Sequence, residues 1–338
     1  MNRTDLSTAF TIALGLTLPA GQAGAAPIIL RFSHVVAEDT PKGMAARRFE
    51  ELAETYTDGS VDVQVFPNSS LYDDRDELEA LQLGAVEMLA PSLAKFGPLG
   101  ISQFELFDLP YLFADIDAVH RLTDGPIGAA LLETLRPRGI TGLAYWDNGF
   151  KIMSATRPLY LPVNFDGLLM RIQSSRVIAA QMEALGAIPR VMTLSEVREA
   201  LETGWVEGTE NPPSNMLTQA MYEVQPYATL SYHGYLGYAV VVNSAFWEAL
   251  PADIRSDLLR ALAEATGYAN SIAAAKNAEA IDRIQQAGTT QVHEQTAEER
   301  TAWVAALLPI HDQMRDWIGN DLVDGAQAAV GLSIRASP

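Results

Sequence analysis

A long stretch without proline near the C-terminus constrains the fold more than any other feature. Residues 252–286 follow Pro251, contain Gly267 as their only glycine and have a helical pattern throughout. At about 1.5 Å per residue such a helix is about 50 Å long, whereas a small domain is about 30 Å across. We therefore expect this helix to span two domains of one molecule.

Two successive alternations of strand and helix patterns predict those domains. In the N-terminal alternation we expect strands at 28–36, 60–66 and 85–90, the second of them strictly alternating in hydropathy. In the following alternation we expect strands at 168–173 and 206–211, with helices between them. Because βαβ units form mostly parallel sheets, we predict an α/β fold of two domains with a ligand cleft between them.

Our division of the chain follows these patterns and the long helix. The predicted strand at 238–243 and the first part of the long helix are assigned to the first domain. We assign residues 1–25 to a signal peptide, residues 26–148 plus 237–276 to the first domain, and residues 149–236 plus 277–330 to the second domain.

The N-terminal residues predict export from the cytoplasm. Residues 9–18 are mostly apolar, Pro19 ends the run, and Ala23-Gly24-Ala25 fits a signal-peptidase site. The apolar run is much shorter than the roughly 20 residues of a membrane span, and no later segment is suitable for one. We therefore expect a free periplasmic protein that begins near Ala26 after cleavage.

The charge and the absence of cysteine exclude several classes of protein. The formal net charge is -19, which disfavours binding to the phosphates of nucleic acid. The chain has no cysteine, so disulfides, thiolate catalysis and cysteine-ligated zinc are excluded. Its five histidines have no metal-site spacing, and no glycine-rich phosphate loop or nucleophile elbow occurs. The sequence thus predicts no cofactor, no metal and no nucleic-acid partner.

Arg171 and Lys42 are candidate contacts to an anion. Arg171 ends a predicted strand, at the edge of the sheet where ligands bind in α/β folds, and its two parallel N–H donors match a carboxylate. A surface ion pair with one of the 42 acidic residues is the alternative. Lys42 lies in the first turn of a predicted helix, where a cation is slightly unfavourable unless it binds an anion.

Three further candidates follow the ends of predicted elements. Asn211 ends an extended segment before a proline and is either a ligand contact or a turn residue. Ser92 follows the third strand and is either a hydrogen-bond donor to the ligand or a loop residue. Lys151 lies at the first crossing between the domains, and a solvated surface lysine is the alternative. We expect the flexible ammonium groups of Lys42 and Lys151 to lie near solvent.

Six segments, taken together and in order, carry a resemblance to a known family. They are HVVAEDTPKG (34–43), FDLPYLF (107–113), WDNGFK (146–151), GLLMRIQ (167–173), GWVEGTENP (204–212) and YHGYLGY (232–238). With these segments the chain resembles the DctP-type extracytoplasmic solute-binding proteins of TRAP transporters, the tripartite ATP-independent periplasmic systems. The resemblance covers nearly the whole chain after residue 25.

The resemblance implies a periplasmic-binding-protein fold, with two α/β domains, a long helix across both and a cleft that closes around its ligand. It implies transport without catalysis, with integral-membrane TRAP permease subunits as partners, and we expect the receptor to be a monomer. At the matching positions it implies that Arg171 pins the ligand carboxylate, that Asn211 also contacts it, and that Lys151 is a third contact.

Several cations for one compact anion favour a four-carbon dicarboxylate such as succinate, fumarate or malate. Lys42, Lys151 and Arg171 supply separated anchors, which suit a diacid better than a monocarboxylate. The chain departs from the common pattern of the family at 195–198 and 207–211, so the contacts to the distal end of the ligand stay open. Uronates, aromatic acids and keto acids remain alternatives.

An exported enzyme that acts on organic acids is the alternative class of function. Glu207 and Glu210 are its candidate acid–base pair. At a spacing of three on an extended segment their side chains point to opposite faces, which disfavours a shared catalytic role. A ligand-free adaptor is a third alternative, which the cations at the expected cleft disfavour. We therefore expect binding without catalysis.

Overall fold

The computed structural model describes residues 26–332, in which eleven strands form two separate sheets. The predicted signal peptide, residues 1–25, lies outside the described residues. The strands in chain order are β1 (Ile28–Ser33), β2 (Val61–Phe66), β3 (Met88–Leu89), β4 (Ile140–Phe150), β5 (Ile152–Ala155), β6 (Leu169–Ile172), β7 (Ile188–Val191), β8 (Gly208–Asn211), β9 (Tyr227–Leu230), β10 (Tyr235–Asn243) and β11 (Gln291–Glu294).

Each sheet combines the predicted parallel βαβ units with antiparallel strands. The first sheet has the order β2-β1-β3-β10-β4, with β1 parallel to β2 and β3, and β10 antiparallel to β3 and β4. The second has the order β11-β9-β5-β8-β6-β7, with β6 parallel to β7 and β8, and β5 antiparallel to β8 and β9. The predicted fold class, two α/β units, is confirmed.

Two of the passages of the chain between the sheets lie at adjacent segments. β4 ends at Phe150 and β5 begins at Ile152, so the first crossing is at Lys151. The return lies between β9 and β10, and the two crossings are hydrogen-bonded because the Lys151 N–H donates to the Gly234 carbonyl at 2.8 Å. The sheets are therefore joined here by two short segments that are hydrogen-bonded to each other.

Thirteen α-helices occur in residues 26–332, and none of them combines the length and hydropathy that a membrane span requires. They are α1 (Pro41–Tyr56), α2 (Glu77–Gln82), α3 (Ile116–Thr123), α4 (Pro126–Glu133), α5 (Arg176–Ala184), α6 (Leu194–Glu202), α7 (Pro213–Thr218), α8 (Ser244–Ala249), α9 (Ala252–Ala287), α10 (Ala297–Leu307), α11 (Ile310–Gln313), α12 (Arg315–Ile318) and α13 (Asn320–Val330).

Helix α1 begins where its capping signals predict. The Thr40 side chain accepts a hydrogen bond from the Gly43 N–H, and Pro41 occupies the first turn. The ring of Phe49 then packs in the core of the first sheet, 6.0 Å from the ring of Phe32. This start places the first turn of α1 beside the ends of β1 and β3.

Helix α9 has 36 residues and spans both sheets, as expected. Near its start, Leu258 and Ala265 belong to the apolar core of the first sheet. Near its end, Ile284 packs in a cluster with Ile152 of the second sheet. The same rigid element therefore contacts both halves of the protein.

The C-terminal helices differ from the expectation that residues 277–330 lie beside the second sheet. Trp303 of α10 does pack in the core of that sheet. Helix α13 instead packs against α3, where Val323 and Ala326 join the cluster that contains Leu122. Hydropathy periodicity identifies an apolar helix face, but it carries no information about which sheet that face covers.

Substitution of two neighbouring leucines of α9 tests the packing of this helix on the apolar core of the first sheet. Leu258 is 1% exposed, whereas Leu259 is 46% exposed. We expect Leu258→Ala to lower the free energy of unfolding by about 2–5 kcal/mol because it leaves a cavity. Leu259→Ala should change it by less than about 0.5 kcal/mol. Urea unfolding followed by tryptophan fluorescence measures both, and equal losses would contradict the packing described.

Candidate functional site

A small cavity lies between the two sheets. We call it the central cavity, and it is lined by Val35, Val36, Lys42, Asp74, Ser92, Lys95, Arg171, Gln173, Leu194, Asn211, Asn215, Leu236 and Tyr238. Four of the five residues expected to bind the ligand, Lys42, Ser92, Arg171 and Asn211, are therefore brought together. The fifth, Lys151, is not part of this lining.

Arg171 lies on β6, and its guanidinium is oriented by a backbone carbonyl. Its Nε and Nη2 atoms donate to the Met192 carbonyl oxygen at 3.0 and 2.8 Å. This fork fixes the plane of the guanidinium and leaves its terminal edge, with one N–H on each of Nη1 and Nη2, for a paired contact to a carboxylate. Burial lowers the pKa of Arg171, although nearby carboxylates, Asp74 first among them, partly oppose this effect.

Lys42 enters the central cavity from the first turn of α1. Its Nζ donates to the Ala90 carbonyl oxygen at 2.9 Å and lies 3.8 Å from the centre of the Tyr238 ring, a cation–π contact. The expected position near solvent is wrong, because Lys42 is only 1% exposed. Burial lowers the pKa of Lys42 to about 7, and the neighbouring charge of Lys95 adds to this effect.

Asn211 and Ser92 offer uncharged hydrogen-bonding groups. Asn211 ends β8, and its amide nitrogen makes only long contacts, 3.4 Å to the Thr209 hydroxyl and 3.9 Å to the Met221 sulfur. The Ser92 hydroxyl donates to the side-chain oxygen of Gln173. The Asn211 amide can therefore donate to an anion without adding charge.

Lys151 has a different environment from the one that its sequence position suggested. It is 2% exposed, so the expected position near solvent is wrong. Its Nζ lies 2.8 Å from the Glu210 carboxylate and 3.4 Å from the Asp108 carboxylate. Burial opposes the charge of Lys151, but these two carboxylates outweigh burial and raise its pKa. The charge of Lys151 is thus already balanced within the protein.

Glu210 completes this buried network at the crossing of the sheets. It also bonds to the Nε2 atom of His233 at 2.9 Å. Burial opposes the ionisation of Glu210, but Lys151 and His233 outweigh burial and lower its pKa to about 2. Burial instead raises the pKa of Asp108 to about 7, although Lys151 partly opposes the rise.

Sequence analysis missed Lys95 and Asp74, which form an ion pair in the lining of the central cavity. Lys95 also contacts the buried carboxylate of Glu77 at 2.5 Å. Burial opposes the charge of Lys95, but Asp74 and Glu77 outweigh it and raise the pKa of Lys95. The available signals were the position of Lys95 three residues after Ser92 and the acidic run before α2. An acidic run before a helix is also typical of an ordinary helix start, so the sequence alone does not place Asp74 at the cleft.

The cations of the central cavity come from opposite walls. Lys42 and Lys95 are supplied by segments of the first sheet, and Arg171 is supplied by β6 of the second. Within residues 26–332, Lys95 has carboxylate partners, whereas Lys42 and Arg171 bond only to backbone carbonyl oxygens. Such an arrangement can hold an elongated anion that carries a charge at each end.

Several known proteins are similar to nearly the whole chain. The C4-dicarboxylate-binding periplasmic protein DctP of Rhodobacter capsulatus is 60% identical over 321 residues, which cover 95% of this chain and 96% of the relative. A TRAP periplasmic solute-binding protein of Shewanella oneidensis, solved with bound succinate, is 44% identical with a TM-score of 0.88. That match covers 90% of this chain and 100% of the other.

A second solved structure, a TRAP periplasmic solute-binding protein of Pseudomonas aeruginosa PAO1 with bound L-malate, is 42% identical with a TM-score of 0.83. That match covers 85% of this chain and 100% of the other. The family model of bacterial extracellular solute-binding protein family 7, DctP, matches residues 32–316. These matches confirm the resemblance carried by the six sequence segments, and the chain belongs to the DctP family of bacterial extracellular solute-binding proteins.

Proposed function

We propose that this protein captures a C4-dicarboxylate in the central cavity and delivers it to a TRAP permease. The observation that carries the proposal is the position of Arg171 opposite Lys42 and Lys95 across one small cavity. Two separated cationic anchors match the two carboxylates of a short diacid. The similar proteins with bound succinate and L-malate, and the dicarboxylate-binding relative from Rhodobacter capsulatus, support the same ligand class.

Each anchor has a distinct role in this proposal. Arg171 binds the first carboxylate through its terminal edge, with the Asn211 amide as a second donor. Lys42 binds the second carboxylate, and the Ser92 hydroxyl can reorient from Gln173 to donate to it. Lys151, although named by the family pattern, acts through the buried network that fixes the crossing.

The wider organisation follows from the same proposal. Residues 1–25 act as an export signal, and the mature protein works in the periplasm as a monomer beside the membrane permease. The two domains are residues 26–148 plus 237–276 and residues 149–236 plus 277–330, with α13 packed onto the first. Support for this division comes from the sheets, since β4 and β5, and likewise β9 and β10, flank the two crossings.

The positions of Glu207 and Glu210, the candidate acid–base pair, favour a receptor over an enzyme that acts on organic acids. Glu207 accepts a hydrogen bond from the Leu169 N–H at 3.1 Å. Glu210 is buried and held by Lys151 and His233, away from the lining of the central cavity. Neither carboxylate lies where it can exchange a proton with an anion in that cavity.

A thermal-shift screen tests the ligand class. Succinate, fumarate and malate should raise Tm in a concentration-dependent manner, since a ligand at 100 times its Kd stabilises the folded state by about 2.7 kcal/mol. Butyrate, which has one carboxylate, should act only at much higher concentration. Glucuronate and a keto acid test the alternatives, and the absence of a response to every carboxylate would contradict the proposed function.

Arg171 should dominate the affinity for the dicarboxylate. Arg171→Ala leaves a desolvated carboxylate unpaired, so we expect binding to weaken by about thirty-fold to several thousand-fold in calorimetric titration. Arg171→Lys should recover only part of the loss, because an ammonium lacks the planar fork. Arg190 pairs in register with Arg171 on β7 but is exposed, so Arg190→Ala is the matched control and should bind like wild type.

Lys42 should make binding depend on pH. Its pKa of about 7 in the free protein rises when a dianion binds, so binding above about pH 7 takes up a proton. Affinity should therefore fall as the pH rises from about 7 to 9, by up to about tenfold per pH unit. Calorimetry in two buffers of different ionisation enthalpy measures the uptake directly.

The control for this pH dependence is Lys42→Gln, which should abolish the proton uptake. The other charged groups that influence Lys42 are Lys95, Glu77 and Asp74. Burial raises the pKa of Glu77, so this carboxyl group is the competing source of the effect. Uptake that persists unchanged in Lys42→Gln would assign the proton to Glu77 instead of Lys42.

A further inference from the structure

Asp74 joins the two halves of the protein at the cleft. It lies between β2 and α2, on the side of the first sheet, where its carboxylate pairs with Lys95. The same carboxylate also accepts a hydrogen bond from the backbone N–H of Leu194. Leu194 is the first residue of α6, which packs in a cluster with Ile152 and Ala228 of the second sheet. One side chain thus bridges segments 120 residues apart.

This bridge lies between the central cavity and a second space. An outer recess is lined by exposed Val191 and by Thr193, and it shares Asp74, Lys95 and Arg171 with the central cavity. The contact between Asp74 and α6 is therefore part of the wall that separates an anion in the central cavity from the recess.

The chemistry of a helix start makes this contact strong. The first N–H groups of a helix have no acceptor within the helix, and the helix dipole favours a negative charge beside them. The capping box of α6 uses the side chains of Thr193 and Glu196, which leaves the Leu194 N–H to Asp74. The nearby ion pair of Arg75 with Glu196, at 3.5 Å and exposed, adds little.

We propose that Asp74 is the gate residue of the cleft, a positioning residue whose contact with Leu194 holds the cleft closed over a bound anion and sets the rate of its release. The inference rests on the proposed function, because it needs an anion that enters and leaves the central cavity. It gives Asp74 a role in ligand release, although the negative charge of its carboxylate would by itself repel an anionic ligand.

The charge of Asp74 and its bridging contact predict opposite effects, which makes the proposal testable. Asp74 neutralises Lys95, so an effect of charge alone predicts that Asp74→Asn binds an anion more tightly and releases it more slowly. A gate predicts the reverse, because the amide loses the charged hydrogen bond that joins the two halves. We expect the dissociation rate of succinate to rise at least about tenfold in Asp74→Asn.

The absence of cysteine allows closure and release to be measured together. Two exposed residues can be replaced by cysteine and labelled with a donor–acceptor pair of fluorophores. They are Leu83, 77% exposed beside α2, and Val163, 72% exposed beside the second sheet. Labelled protein saturated with succinate is mixed with an excess of unlabelled, ligand-free wild type as a trap. Asp76→Asn is the matched control, since it makes the same charge change at an exposed site two residues away.

A reciprocal pair of variants removes the other side of the contact. Leu194→Pro deletes the N–H that Asp74 accepts, and proline is favoured at this first helical position. The extended backbone of Thr193, with φ -64° and ψ 154°, is compatible with a following proline. Leu194→Ala loses the side chain but keeps the N–H, so comparison of the two isolates the hydrogen bond, even where Asp74→Asn folds poorly.

The gate is supported if Asp74→Asn releases succinate faster than Asp76→Asn does. The mean donor–acceptor distance at saturating succinate should also be longer in Asp74→Asn. Release from Leu194→Pro should likewise be at least about tenfold faster than from Leu194→Ala. Release from Asp74→Asn within twofold of wild type, slower release, or equal rates for the two Leu194 variants would overturn the gate. Failure of wild type to bind any carboxylate would instead overturn the proposed function.

Discussion

Lys151 and Glu210 form a buried ion pair where the chain passes from the first sheet to the second, and the positions of both cleft walls depend on it. Asp108 contacts Lys151 from the segment between β3 and α3, and His233 contacts Glu210 from the returning segment. Removal of one partner from a buried pair costs about 3–5 kcal/mol, because the remaining charge is left uncompensated. The network therefore fixes the crossing and sets the geometry in which two rigid halves enclose a cavity.

Burial of Arg171 and Lys42 in the central cavity, unlike that of Lys151, leaves a positive charge without a carboxylate partner in residues 26–332. Arg171 and Lys42 are at least as buried as Lys151, but among the described residues they bond to carbonyl oxygens instead of carboxylates. Their positive charge is desolvated and remains available to an anion. Lys95 of the same lining is balanced by Asp74, which also lines the cavity, and by the buried Glu77. A chain of net charge -19 thus leaves Arg171 and Lys42 without carboxylate partners, in the part of the chain that the structure describes, by placing its carboxylates beside other cations.

The local parts of the fold could be predicted from sequence. Thr40 and Pro41 begin α1, the alternating valines of β2 face the core, and the stretch after Pro251 is one long helix. Each of these features depends on neighbours within a few residues. The third strand was expected over 85–90 but pairs only at Met88–Leu89, because strand length depends on how far β1 and β10 accompany it.

The sequence by itself determined the elements, the family, and the placement of Lys42, Ser92, Arg171 and Asn211 at the ends of elements that meet at the cleft. Only the tertiary structure decided which charges are balanced. Lys151 meets Glu210 across 59 residues, and Asp74 meets Leu194 across 120. A charged side chain has the same local sequence pattern whether it is later paired or left for a ligand. Its role depends on the partner that folding brings from a remote segment, because the Coulomb energy and the desolvation of a buried ion are set by groups within a few ångströms in space.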